Sequence, residues 1–406
     1  MATYKEQNKL NVPHLRFPEF HGEWEKCKLG ELAVKVGSGS TPKGGNAVYT
    51  TSGHCFVRSQ NVGMGHLILN DIAYIDESTH QKQKSTELRT NDVLLNITGA
   101  SIGRTALATE EINGGNVNQH VCIIRTNGNV EPSYICDYIQ TSKIQKYIQS
   151  LQTGGSREGL NFEQIRSFPI NIPTVEEQVK IAKLLSLINE RIATPSKLIE
   201  DLKKLKSAII DYAINSHDTD FAKFGSLYET AGEGGTPTTS NASFYDNGKI
   251  PFIKIDDLKK KYLTKNKDFI TELGLQKSSA WLVPTRSILF SNGATIGEIT
   301  ITTYPVCTKQ GILGIVPKPN IDVEFLYYFM SSSYFKKAVS RIVTEGTMKT
   351  VYLKDINNIR CPIPTKEKQL DIAKMPSALN SKIDFEQSIL KLFGSQKQYL
   401  LRQMFM

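Results

Sequence analysis

The sequence predicts a mixed α/β protein made of two repeated domains, joined by two long helices packed on each other as an antiparallel coiled coil. Three observations carry that prediction. The stretch Ile172 to Ile192 returns 191 positions later as Ile363 to Ile383, with 11 of its 21 positions identical. The segments before it also repeat, in the same order. Finally, the repeated stretch opens in both copies an apolar pattern at four-three spacing, long enough for a helix of about 40 residues, roughly 60 Å.

Taken from the N-terminus, "KLGELAVKVGSGSTPKGG" (from Lys28) matches "KFGSLYETAGEGGTPTTS" (from Lys223), so Thr41-Pro42 falls on Thr236-Pro237. "NITGASIGRTAL" matches "FSNGATIGEITI", which places Gly99 on Gly293, and "NQHVCIIR" faces "KQGILGIV". The repeat divides the chain into a domain at 12–170, a helical spacer at 171–217, a second domain at 218–362 and a second spacer at 363–406. Within each domain, short apolar runs such as "DVLLNIT" and "SILFSNG", broken by Gly, Asn and Thr-Pro, read as strands joined by irregular loops. One short helix follows in each copy, Pro132 to Gln152 and Val323 to Val343.

"IPT" then leads into the long helices, with Thr174 and Thr365 as N-caps and Glu177 in the capping-box position; Lys368 stands there in the second copy. The first seam is Ile181, Leu185, Ile188 and Ile192, continued in a shifted frame by Leu198, Leu202, Leu205, Ile209 and Tyr212. Pro195 sits at the frame change and is expected to kink the helix. The second seam is Leu379, Ile383, Leu390, Phe393 and Leu400, with Pro376 early in the helix.

Composition narrows the class. Hydrophobic residues make up 39% and charged residues 22%, as in an ordinary globular protein. Six scattered cysteines without a C-x-x-C pair point to a reducing compartment. The polar N-terminus lacks a signal-peptide core, and no stretch approaches the roughly 20 apolar residues of a membrane span, so a cytoplasmic protein with no membrane partner is expected. The net charge of +9 favours a polyanionic partner. However, 12–170 holds 15 basic and 15 acidic residues and 218–362 holds 18 and 14, so non-specific charge is not the main device.

Catalytic signatures are missing. There is no H-E-x-x-H, G-x-S-x-G, phosphate-binding G-x-x-x-x-G-K-[ST], or Asn-Pro-Pro-Tyr or Asp-Pro-Pro-Tyr tetrapeptide. What repeats instead is a set of polar loops. They offer Ser40, Thr41 and Lys43 against Thr236; Arg58, Gln60 and Asn61 against Lys254 and Asp256; and Thr98, Ser101 and Arg104 against Asn292 and Thr295. They also offer Asn118 and Gln119 against Lys309 and Gln310, and Ser156 and Arg157 against Thr347 and Lys349. Asn and Gln suit adenine edges, Arg and Lys guanine, acids cytosine, and Ser, Thr and Lys phosphates. Arg58 or Gln60 is expected on a base edge and Lys43 on a phosphate. A shared scaffold whose loop tips differ fits two readers of different half-sites.

These pieces together resemble a known family over the whole chain: "PHLRFPEFHGEWEKCKLGEL", the Gly-Ser-Thr-Pro and Gly-Gly-Thr-Pro loops, "GASIGR" and "GATIGE", and "IPTVEEQ" and "IPTKEKQ". The chain resembles the DNA-specificity subunit of type I restriction-modification systems. The resemblance implies two target-recognition domains of mixed α/β fold on helices that act as spacer and docking platform, with no catalytic activity. It implies double-stranded DNA with a bipartite site as the ligand. The partners would be two methyltransferase subunits, which methylate adenine with S-adenosylmethionine, and two restriction/translocase subunits, which use ATP and Mg2+. No cofactor is expected on this chain itself. Pro195 and Pro376 depart from what rigid spacers would need. Two other readings are a coiled-coil protein-binding adaptor and a stand-alone nuclease. Duplex binding separates the former, and magnesium-dependent cleavage by the chain alone the latter.

Overall fold

The computed structural model describes residues 11–42, 44, 48–152, 159–215, 220–293, 295–343 and 349–405. The chain forms two compact units, one of Met1–Ser196 with Ser388–Met406 and one of Lys197–Gln387.

The first unit begins with β1 (Glu25–Lys28), β2 (Ala33–Ser38), β3 (His54–Val57), β4 (Ala73–Ile75) and the short α1 (Glu77–Lys82). β5 (Val93–Asn96), β6 (Thr105–Leu107), β7 (Asn116–Val117) and β8 (Val121–Thr126) follow. Then come α2 (Pro132–Ile139), α3 (Ser142–Ser150), α4 (Phe162–Arg166), β9 (Pro169–Ile172) and the long α5 (Val175–Asn215). A four-stranded sheet of order β2-β8-β5-β6 lies beside a three-stranded sheet β4-β3-β7, and β1 pairs with β9. Side chains alternate along the central strands, as the pleat demands. Val93, Leu95, Cys122 and Ile124 face a core with Tyr134, Tyr138 and Phe168, whereas Leu94, Val121 and Ile123 face a second core with Val57 and Val62. The central sheet is therefore covered on both faces, which is why "VLLN" is a continuous buried run.

The second unit repeats this plan with β10 (Phe221–Lys223), β11 (Tyr228–Glu233), β12 (Ile250–Ile253), β13 (Tyr262–Leu263), β14 (Asp268–Ile270) and α6 (Glu272–Gln276). It continues through β15 (Ile288–Ser291), β16 (Ile299–Thr302), β17 (Cys307–Thr308), β18 (Ile312–Pro317), α7 (Val323–Ser331), α8 (Ser333–Ile342), α9 (Leu353–Ile356), β19 (Arg360–Pro362) and the long α10 (Lys366–Gln403). The sheets are β11-β18-β15-β16-β13 and β14-β12-β17, with β10 on β19. The added strand, β13, runs parallel to β16. Even the irregularity recurs: the register shifts between Ala33 and Lys35 in β2 and between Tyr228 and Thr230 in β11.

The expected single short helix is two helices in each copy. Thr141 and Ser332 start a new helix where one was expected to continue, each accepting a backbone N–H three residues on, from Ile144 (3.5 Å) and Phe335 (3.2 Å). A hydroxyl that caps the next turn competes with continuing the preceding helix.

The repeated helix start has a physical explanation. Thr174 and Thr365 cap α5 and α10 by accepting the N–H groups of Glu177 (3.4 Å) and Lys368 (3.5 Å). The recurring Gln is a buried clasp. Gln178 accepts from the Glu131 N–H (2.9 Å) and donates to the Pro173 carbonyl (2.9 Å); Gln369 accepts from the Asp322 N–H (2.7 Å) and donates to the Pro364 carbonyl (2.9 Å). Each Gln thereby ties the long helix to the start of the short helix in its own unit. Gln369→Leu strands those groups and should lower stability by about 1–3 kcal/mol in chemical denaturation; an unchanged midpoint would mean the clasp carries no stability.

Glu177 departs from the capping-box expectation. Its buried carboxylate is held by Arg16, through Nε and a terminal nitrogen, both at 2.8 Å. A planar guanidinium satisfies both oxygens at once, which the lone N-cap N–H cannot do.

In the first unit α5 and the end of α10 run antiparallel: Arg191 lies over the Phe393 ring, and Ile181, Leu185 and Ile188 share a core with Leu400 and Leu401. In the second unit Lys206 bonds Asn380 (3.0 Å) and Ile210 and Ile214 share a core with Ala373, again antiparallel. The later seam of α5 is displaced from the expected one. Leu198 and Leu205 are exposed and Tyr212 is 75% exposed, while Ile199, Ile210 and Ile214 are buried. Lys206 turns inward on its long alkyl stem, which a count of apolar residues alone does not register. Both helices continue through their prolines, Pro195 and Pro376. No helix among the described residues is long and apolar enough to cross a membrane.

Candidate nucleic-acid interface

In the first unit the turn after β5 and the turn before β8 converge. Gly99 has φ of +70°, a backbone that disfavours any side chain, and opens a one-turn helix at Gly99–Ser101. Gln60, Thr98, Ser101 and Arg104 line one open groove there, with Ser59 and His120. Four of the expected residues are thus brought together from two loops. Arg104 is exposed and makes no side-chain hydrogen bond or ion pair among the described residues. His120 was not among the residues singled out, although it directly follows Asn118 and Gln119. Its ring bridges Thr98 (Nδ1 to Oγ1, 2.5 Å) and Gln119 (Nε2 to Nε2, 3.1 Å).

The other expected residues of this unit build the loops. Asn61 is buried, accepts the Arg58 N–H (3.0 Å) and donates to the Ile68 carbonyl (2.9 Å). Asn118 is buried and accepts the His120 N–H (3.0 Å). Arg58 lies over Tyr49 and donates to the Asp71 carbonyl (3.0 Å), and the Gln60 amide donates to the Asp71 carboxylate (2.7 Å). Thr41 bonds Gln119, and Ser40 is exposed. Lys43, Ser156, Arg157 and Thr347 lie outside the described residues.

The second unit keeps the frame and changes the tips. Lys254 pairs with Asp268 (2.8 Å) as Arg58 does with Asp71, and Asp257 accepts the Lys254 N–H (3.0 Å) as Asn61 accepts that of Arg58. The Gln310 N–H donates to Thr236 (3.3 Å). Asn292 is buried and donates to the Val351 carbonyl (3.1 Å), so it holds the loop. Asp256 pairs with Lys259 (2.9 Å), while Thr295, Lys309 and Lys349 are exposed. At the positions of Arg104 and His120 stand Glu298 and Gly311. Gly311 has φ of +91°, and its Cα lies within 3.4 Å of where a side chain on Gly293 would start. The two surfaces share a scaffold but present different donors and acceptors. Among the described residues, no group of three or more His, Cys, Asp or Glu is placed to hold a metal ion.

A family model described as the type I restriction modification DNA specificity domain matches twice, at residues 21–204 and 218–392. The chain belongs to that family. Both matched segments are DNA specificity domains, and the similar full-length proteins are named specificity subunits. Similar specificity subunits include that of the type I enzyme MjaVIII of Methanocaldococcus jannaschii, 22% identical over 95% of this chain and 92% of the relative. That of HindI of Haemophilus influenzae is 20% identical over 80% and 86%. The fold is also that of the type I restriction-modification S subunit from M. genitalium, with a TM-score of 0.62 at 17% identity, covering 97% of this chain and 99% of that one. For a specificity subunit, the loop differences described above are the feature of interest.

Proposed function

We propose that each unit reads one half of a bipartite DNA site and that the chain thereby directs adenine methylation and ATP-dependent restriction by partner subunits. The observation that carries this reading is the groove with an exposed guanidinium and an imidazole in the first unit, against a carboxylate and a glycine at the same positions in the second. Arg104, Gln60, Ser101 and His120 form the reading surface of the first unit. Thr236, Asp256, Thr295, Lys309 and Gln310 stand in the corresponding loops of the second. Two methyltransferase and two restriction/translocase subunits act with this chain in the cytoplasm, and S-adenosylmethionine, ATP and Mg2+ belong to them.

A guanidinium donates two parallel hydrogen bonds to the guanine O6 and N7 edge. Arg104→Ala should therefore cost about 1–3 kcal/mol on the preferred site and relax one position of one half-site. Methylome mapping and competition binding read both effects. Equal loss on every sequence would place Arg104 on phosphate instead.

A further inference from the structure

The second unit holds a pocket lined by lysines, most of which have no counterpart in the first repeat. The later part of α5, the residues before β13, the turn between β15 and β16, and α8 enclose a cavity of about 300 Å³. Lys203, Lys206, Lys259, Lys260 and Lys336 line it, with Glu298 as the one acidic lining residue among the described residues. Lys259 pairs with Asp256, and Lys206 bonds Asn380. Lys203, Lys260 and Lys336 are exposed and make no ion pair among the described residues. Burial lowers the Lys206 ammonium, and Lys203, Lys261 and Lys336 lower it further while Asp384 opposes them.

The first repeat serves as an internal control. At the places of Lys203 and Lys336 it carries Gly394 and Gln145, each 191 residues away. It keeps only Lys397, at the place of Lys206, and there the buried Asp137 supplies an opposing charge. At the position of Asp137 the second unit has Tyr328 instead. The scaffold therefore does not require this many cations; the second copy gathers them where they repel one another, a cost that a bound anion would offset.

The turn that ends in Gly297 and Glu298 forms both one wall of the pocket and the loop corresponding to the Thr98–Arg104 groove. We propose that the pocket holds a backbone phosphate of the duplex, beside the half-site read by the second unit. The inference rests on the proposed DNA reading, and it assigns the long helix itself a contact with DNA. A duplex carries one charge per about 1.7 Å of axis, so the charges flanking the bound phosphate add to its attraction for the ammonium groups beyond that of a free anion.

The test uses the full-length chain, mixed-sequence duplex DNA and a salt series. The variant Lys203→Gln/Lys260→Gln/Lys336→Gln should lower the slope of log affinity against log salt by about 1, since a lost phosphate contact removes roughly 0.9. It should weaken all sequences alike and leave the methylated motif unchanged. Glu298→Gln, which removes the opposing charge, should tighten binding. A wild-type slope in the triple variant, with the wild-type chain binding duplex normally, would overturn the pocket while leaving the two-reader function intact. Failure of the wild-type chain to bind any duplex would overturn both. Calorimetry with inorganic phosphate separates the sources: binding lost in the triple variant beside an unmoved salt slope would assign the pocket to a free anion and reject DNA.

Discussion

Replacing residues 12–170 with the corresponding segment of another specificity subunit should change one half of the methylated site and leave the other half as it was. Each unit has its own sheets, its own cores and its own capped helix start, and the reading loops of each sit wholly within it. Base contacts made by one set of loops therefore do not depend on the other set. The exchange has physical conditions. Arg16 must be retained for the buried Glu177, as must a backbone N–H at 131 for Gln178 and the Tyr134 hydroxyl, which donates to the Asn171 carbonyl (2.7 Å). An exchange that drops Arg16 leaves a buried carboxylate unpaired, at a cost of about 3–5 kcal/mol, and should fail by unfolding rather than by losing specificity. Methylation mapping of genomic DNA gives the answer; a change in both halves together would end the two-reader account.

Lys397→Met should destabilise the first unit by about 3–5 kcal/mol at pH 8 and by less at pH 5. Lys397, on α10, is buried, donates to Gln140 (2.7 Å) and supplies positive charge to Asp137 on α2. Gly65 leaves the room for it, because a side chain there would start 2.8 Å from the ammonium nitrogen. Burial pushes the Asp137 carboxyl up to about 7, against the pull of Lys397 and Gln140. The folded chain thus keeps the proton below about 7, whereas the unfolded carboxyl loses it near 4. The contribution of Asp137 to stability is full below about pH 4 and is lost as pH rises through about 7. Removing Lys397 raises the folded value further, so the penalty of the variant grows with pH. Asp137→Leu combined with Lys397→Met removes both charges and should recover most of the loss. Denaturant midpoints at the two pH values test this, and a penalty that shrinks from pH 5 to pH 8 would contradict the pairing.

Much of the fold was legible because it is encoded locally. The duplication, the strands "DVLLNIT" and "SILFSNG", the extent of α5 and the caps Thr174 and Thr365 depend on neighbours a few residues apart, and short-range spacing registers them. The break between α2 and α3 was equally local, a capping hydroxyl at Thr141 outweighed in the reading by the apolar run around it. The loop candidates were legible only as a set. Gln60, Thr98, Ser101 and Arg104 do converge, but residue type alone does not separate Arg104, whose side chain has no partner among the described residues, from Arg58, which Asp71 and Tyr49 hold.

By itself, then, the sequence determined the repeat, the mixed α/β class, the long helices and the family. Tertiary structure alone decided where the polar side chains went. Glu177 found Arg16 across 161 positions of chain, Lys397 found Gln140 across 257, and Lys206 displaced the expected seam by turning inward beside Asn380. A charged side chain entering a low-dielectric interior requires whichever partner the fold brings within hydrogen-bonding distance. That partner is chosen by long-range packing, which hydrophobic periodicity does not encode.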